Sequence, residues 1–259
     1  NVYTDITQSL SLGGLTYGVT NMELTSAYAS IANGGTYQKP VLYTKVVDHN
    51  GNILLSNTQK GKRVMKESTA FLLTDAMKDV ITKGTGKSAK LSSSMAVAGK
   101  SGTTSNSYDY WFSGYTPYHT ASVWMGYDKN TNFASDNTHK KIWAKVMNEI
   151  IKTKQEQTTD FKKPADIVKA KVCKESGKLA IKEVCDHDPR GSRVITEYFE
   201  KGTVPTQTCD IHVAVEVCKT SDKLATKNCP ANKKQRKIYI VRKKGSHGKT
   251  ADTPYMLPK

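Results

Sequence analysis

No apolar run in these 259 residues approaches the ~20 that a helix needs to cross a bilayer, so the sequence contains no membrane-spanning helix. Acidic residues are scarce as well: 23 Asp and Glu stand against 39 Lys and Arg, leaving a formal charge of +16. The excess is uneven, +6 over residues 1–159 and +10 over residues 160–259. Such a surface favours polyanions. No nucleic-acid-binding signature accompanies the charge, which argues against nucleic acid as the partner. For any single lysine, keeping a surface solvated is the ordinary role. Cysteine is absent before position 173, so nothing in the first two thirds can be cross-linked by disulfides. The length suits one full domain and a smaller second one.

The most informative stretch is Met95-Ala-Val-Ala-Gly-Lys100-Ser-Gly-Thr103-Thr. Its apolar start reads as a buried strand, and its end places an ammonium, a hydroxyl and a glycine together. That combination makes an anion-binding edge: charge from Lys100, a directed donor from Ser101, and close backbone approach at Gly102. A Lys-Ser-Gly triplet alone is a weak signal. Two further strand-like runs follow, Asp109-Tyr-Trp-Phe-Ser-Gly-Tyr-Thr-Pro117 and Thr120-Ala-Ser-Val-Trp-Met-Gly-Tyr127, separated by turn-rich Thr104–Tyr108 and Tyr118–His119. The three are expected to form an antiparallel meander. Trp111 and Trp124, mid-strand among apolar residues, are expected in the core.

Together these segments resemble the third active-site motif of penicillin-binding proteins and the two strands after it. Ser9–Gly35 is similar to the segment of that family between its second and third motifs. Thr196-Glu-Tyr-Phe, Gly202-Thr-Val-Pro-Thr and Cys209-Asp-Ile-His212 are similar to the C-terminal region of class A, bifunctional members from Gram-positive bacteria.

The resemblance implies an α/β (α+β) penicillin-binding/β-lactamase-like transpeptidase fold, an antiparallel sheet with flanking helices, followed by a small β-rich C-terminal domain. It implies D,D-transpeptidation of peptidoglycan stem peptides ending in D-Ala-D-Ala through a serine acyl-enzyme, with β-lactam antibiotics acylating the same serine and no cofactor needed. Lys100 would raise the local positive potential beside the serine network. Ser101 and Thr103 would donate hydroxyls to the substrate carboxylate, and the Thr103 N–H would help form the oxyanion hole. Gly102 would keep the strand edge open to a peptide, and Thr104 would line the cleft. Anionic wall polymers would suit the basic surface better than nucleic acid. The expected location is the outer face of the bacterial cytoplasmic membrane, with a transmembrane anchor and a glycosyltransferase domain elsewhere in the intact protein.

The family carries Ser-x-x-Lys, Ser-x-Asn and Lys-[Ser/Thr]-Gly in that order, and only the third is in place here. Ser246-His-Gly-Lys249 and Ser135-Asp-Asn137 fit the first two patterns but follow Lys100; the first sits in a Gly/Lys/Pro-rich tail and the second in a polar stretch. Neither suits a nucleophile that must open a buried helix facing the strand. The sequence, beginning at Asn1, therefore reads as a C-terminal piece whose nucleophile lies on the missing N-terminal part of the same protein. Two alternatives stay open: an inert wall-binding or assembly module, and a serine β-lactamase or D,D-carboxypeptidase on the same fold.

Residues 1–155 read as the C-terminal half of the transpeptidase domain. Thr20-Asn-Met-Glu23 is a capping box for a helix with Leu24, Ala27, Tyr28 and Ile31 on one face. Val41–Val47 and Ile53–Leu55 suggest a hairpin, Ser68 a second helix cap, and His139–Lys152 a closing helix. Residues 156–242 read as the small Cys-containing β domain, and residues 243–259 as a disordered tail apart from any docking by Tyr255-Met-Leu. Val172-Cys-Lys-Glu-Ser-Gly-Lys-Leu-Ala180 and Val217-Cys-Lys-Thr-Ser-Asp-Lys-Leu-Ala225 form an internal repeat, each copy followed by a second cysteine. An extracellular setting allows Cys173–Cys185 and Cys218–Cys229 as disulfides, leaving Cys209 over. The rival is zinc bound through Cys185-x-His187 and Cys209-x-x-His212, spacings unlike the usual fingers; the metal-free reading is the one expected here.

Overall fold

The computed structural model describes residues 3–241 and 250–257. The chain forms two compact units, Asn1–Pro164 and Ala165–Lys259.

In the first unit, α1 spans Asn21–Ala32 and begins at the capping box. The Glu23 N–H donates to Thr20 Oγ1 over 3.2 Å, and the Thr20 N–H donates to Glu23 Oε2 over 2.8 Å, so two of the free donors of the first turn are satisfied locally. Short β1 (Thr36–Tyr37) and β4 (Lys62–Arg63) pair around an exposed hairpin of β2 (Lys45–Val47) and β3 (Ile53–Ser56). Helix α2 runs from Glu67 to Thr82 with Lys66 as its N-cap. Ser68 does not cap it. Its side chain is buried in the first turn, where it cannot reach over the helix end.

The meander forms as β5 (Ala98–Thr103), β6 (Asp109–Tyr115) and β7 (Thr120–Gly126), antiparallel and in chain order. Register pairs Lys100 with Ser113, Gly102 with Trp111, and Trp111 with Trp124, so these residues share one face. Phe112 points to the other face and packs edge-on against Trp143 of α3 (Thr138–Lys154), with ring centroids 5.2 Å apart. Met147, Ile81 and Val97 complete that core. On the first face, Tyr115 and Ala98 pack with Met77 of α2 and Tyr28 and Ile31 of α1. The sheet is thus held between helices at one end of its first face, while the Lys100 end remains open.

Residues 156–164 group with this unit. Phe161 supplies an edge-on ring against buried Tyr115, and Asp160 accepts from Lys78 Nζ at 2.8 Å. A single aromatic in a polar stretch is enough to dock it.

The second unit contains two antiparallel ladders, β8 (Ile167–Cys173) with β9 (Val194–Glu200) and β10 (His212–Cys218) with β11 (Lys234–Ile240). The sequence repeat is a structural repeat. Both copies leave the strand through the same turn: the Cys173 N–H donates to Lys178 O and the Cys218 N–H to Lys223 O, at 2.8 and 2.9 Å. Gly177 and Asp222 occupy the same left-handed position, with φ of 69° and 52°. The expected disordered tail is corrected over residues 250–257. They form a 3₁₀ turn, and Leu257 N–H donates to Ile240 O at 3.0 Å. Ser246 and Lys249 lie outside the described residues. Among the described residues, no helix is long and apolar enough to cross a membrane.

Candidate functional site

Strand β5 is the edge of its sheet, and its Lys100–Thr103 end opens on a cleft of about 1030 Å³. Lys100, Ser101, Gly102, Thr103 and Thr104 all border it, facing Gly13, Tyr17 and Tyr28 from the N-terminal segment and α1. An edge strand leaves alternate backbone groups unpaired, so an extended peptide can add beside it. The Lys100 ammonium donates to Ser101 O at 2.7 Å, which holds its charge at the strand end. The Ser101 hydroxyl is 2.9 Å from that of Thr85. Thr104 Oγ1 donates to Asp109 Oδ2 at 3.0 Å and accepts from the Asp109 N–H at 2.9 Å, pinning the turn that leaves β5.

A second ammonium lies within electrostatic reach of Lys100. Lys140 on α3 is buried and donates to Asn137 Oδ1 at 2.7 Å. Burial, and then the charge of Lys100, hold Lys140 below the usual lysine range. Asn137 and Ser135 are thus accounted for locally: Asn137 precedes α3 with φ of 70°, and the Ser135 hydroxyl lies 3.2 Å from His139 Nδ1. Neither borders the cleft.

The placement of the tryptophans is corrected. Trp111 and Trp124 are not core; they form a cross-strand pair bordering the cleft, with rings 6.4 Å apart and Trp124 40% exposed. The Trp124 indole N–H donates to Asp109 Oδ1 at 2.9 Å, which orients that ring. Alternation in β6 and β7 could have separated Trp111 from buried Phe112, because neighbouring strand residues face opposite ways.

Gly102 offers a direct test of the open edge. A Cβ there would meet only Trp111 Cβ, at an ordinary 3.5 Å, and the fold does not require glycine at this position. Gly102→Ala is expected to leave the melting temperature within about 2 °C. Binding of an extended, carboxylate-ended peptide should weaken by roughly an order of magnitude or more, because a bound ligand loses its close approach. An affinity equal to that of the parent protein would show that nothing docks on this edge.

In the second unit, Cys218 and Cys229 are joined as a disulfide with Cα atoms 6.0 Å apart. The expected Cys173–Cys185 bridge is not formed. Cys173, Cys185 and Cys209 are free, buried thiols, and with His212 they place four ligand atoms within 4.8 Å of one another. The separation of Cys209 from the repeat hid this grouping, because the 173–185 turn and the 209–212 turn meet only in the fold. His187 takes no part; it is exposed beside Asp186.

Comparison with known proteins bears on both units. The family described as penicillin binding protein transpeptidase domain matches residues 4–152, and penicillin-binding protein 1A, C-terminal domain, matches residues 163–214. Penicillin-binding protein 1A of Clostridium botulinum (strain Langeland) is 36% identical over 256 residues, covering 96% of this chain and 30% of that protein. Penicillin-binding protein 2D of Bacillus subtilis (strain 168) is 33% identical over 237 residues, covering 88% of this chain and 32% of that protein. The chain thus spans about a third of the length of these relatives. Among solved structures, penicillin-binding protein 1A from Haemophilus influenzae superposes with a TM-score of 0.61 at 24% identity, over 78% of this chain and 35% of that one, a likeness of fold.

Proposed function

Because the chain belongs to the penicillin-binding protein transpeptidase family, we propose that its cleft is the carboxylate-binding and oxyanion side of a serine D,D-transpeptidase that cross-links peptidoglycan. The observation that carries this reading is the Lys100-Ser101-Gly102 end of an edge strand bordering the cleft that Trp111 and Trp124 also line. The donor stem peptide lies along β5 as an added strand. Its terminal carboxylate takes hydroxyl donors from Ser101 and Thr103 in the field of Lys100.

The serine and its Ser-x-Asn partner come from sequence outside this chain. Ser Oγ attacks the carbonyl carbon of the D-Ala-D-Ala bond and its proton passes to the departing D-alanine nitrogen. The Thr103 N–H stabilises the oxyanion, and a stem-peptide amine then displaces the serine from the ester. None of these steps calls for a cofactor. β-Lactams present the same carboxylate and carbonyl and stop at the ester. In the intact protein a transmembrane segment and a glycosyltransferase domain lie elsewhere, at the outer face of the cytoplasmic membrane. The basic second unit faces anionic wall polymers there.

A fluorescent penicillin tests the assignment. The 259-residue chain alone is expected to form no covalent adduct, and the intact protein is expected to form one at a serine outside this sequence. Labelling of Ser246, Ser135 or any other serine of the isolated chain would overturn the proposal, as would an intact protein that does not label.

A further inference from the structure

We propose that Cys173, Cys185, Cys209 and His212 form a structural zinc site that ties together the turns of the second unit. The four side chains come from three places: the end of β8, the 3₁₀ turn Cys185–His187, and the Cys209–His212 turn leading into β10. All four are buried, and their ligand atoms lie within 4.8 Å of one another. Zinc–sulfur bonds of about 2.3 Å and zinc–nitrogen bonds of about 2.0 Å set tetrahedral edges of roughly 3.5–3.8 Å, so a small contraction encloses the ion.

The imidazole is already turned for this. His212 Nδ1 stands 3.4 Å from Cys173 Sγ and 3.3 Å from Cys209 Sγ. Its other nitrogen, Nε2, lies 2.6 Å from Asp188 Oδ2. A carboxylate on the far nitrogen of a ligating histidine fixes the tautomer that presents a lone pair to the metal. Asp188 is buried in turn and held from the other side by Arg190, whose Nε and Nη2 donate to its two oxygens at 3.0 and 2.7 Å. The Ile181 N–H donates to Cys185 Sγ at 3.3 Å, which fixes where that sulfur points.

A disulfide reading fits less well, because three thiols cannot pair without leaving one buried beside an imidazole. The second copy of the repeat shows the alternative outcome of the same turn. There, among the described residues, no group of three or more ligating side chains gathers, and Cys218 closes on Cys229. With every ligand supplied by protein, the zinc has no open position and serves stability rather than catalysis. Binding releases one proton from each of the three thiols and leaves the histidine neutral.

The test uses the full 259-residue chain, purified without metal-affinity resin. Elemental analysis should find about one zinc per chain. Cobalt exchange should give thiolate-to-cobalt charge transfer with tetrahedral d–d bands. Alkylation should spare Cys173, Cys185 and Cys209 until a chelator is added. Cys209→Ser and His212→Ala should lose the metal, whereas Cys218→Ser should keep it. Asp188→Asn, acting through His212, should weaken zinc binding by roughly 10–100-fold while leaving the tetrahedral cobalt spectrum. Should the ligand variants fail to fold, cobalt exchange and alkylation of the parent chain still decide. The proposal is overturned if the reduced chain takes up neither zinc nor cobalt, if its cobalt spectrum lacks thiolate charge transfer, or if any two of the three thiols are isolated as a disulfide without metal.

Discussion

Lys100→Ala should slow acylation of the intact protein by a β-lactam at least about 100-fold, the scale on which a preorganised charge beside a reacting centre acts. The change removes the ammonium at the end of β5, which is exposed and donates to Ser101 O. Little packing goes with it, so the melting temperature should move by no more than about 2 °C. The buried Lys140 gives an internal check on the electrostatics. Burial lowers its pKa first and the charge of Lys100 adds to that, so the Lys140 pKa should rise once Lys100 is gone. The second-order rate constant for acylation is the measurement. A rate like that of the parent protein would mean that the Lys100 ammonium lies outside the reacting field.

The elements that sequence alone placed well are those whose cause is local. Helix α1 starts where Thr20 and Glu23 satisfy each other's backbone donors, which needs no tertiary partner. The three strands of the meander carry their alternation and turns with them. Ser68 shows where that reasoning fails. Its hydroxyl could have capped α2, but the first turn of the helix packs inward and buries the side chain. Phe161 failed in the other direction: it lies in a stretch with no periodicity, yet Tyr115 gives it an aromatic partner.

The two sites differ in the same way. Lys100, Ser101, Gly102, Thr103 and Thr104 are contiguous, and the strand delivers them together to one cleft. Trp111 and Trp124 needed the strand register to reveal that they share a face with Gly102. The cysteine cluster was the least legible. Its spacings of 12, 24 and 3 residues match no compact ligand motif. The repeat itself suggested pairing within each copy, which holds for Cys218 and Cys229 alone. Asp188 carried no signal at all, because its role follows only from the 2.6 Å contact with His212.

Trp143→Ala should produce the largest loss of stability of any single substitution in the first unit. The side chain is fully buried, stacks edge-on with Phe112, and is the largest of the fully buried residues. Truncating a buried tryptophan costs about 3–5 kcal/mol, through lost transfer free energy and an unfilled cavity. Scanning calorimetry should show the transition of that unit falling by roughly 10 °C. One polar bond adds to the effect, since the indole N–H donates to Ala121 O at 3.0 Å and so fastens α3 to β7. Trp143→Phe separates the two contributions. It keeps an aromatic ring against Phe112 but removes the indole bond to Ala121 O and part of the buried ring surface, for an expected loss of about 1–3 kcal/mol. Because β7 carries Trp124 and pairs with β6, loosening α3 should also be felt in the cleft. Acylation by the intact Trp143→Phe protein, measured well below its transition, should nevertheless stay within about threefold of the parent, because Lys100 and Thr103 sit on β5, beyond β6 from that contact. A Trp143→Ala loss below about 1 kcal/mol would mean that the α3–sheet core is less tightly packed than its burial indicates.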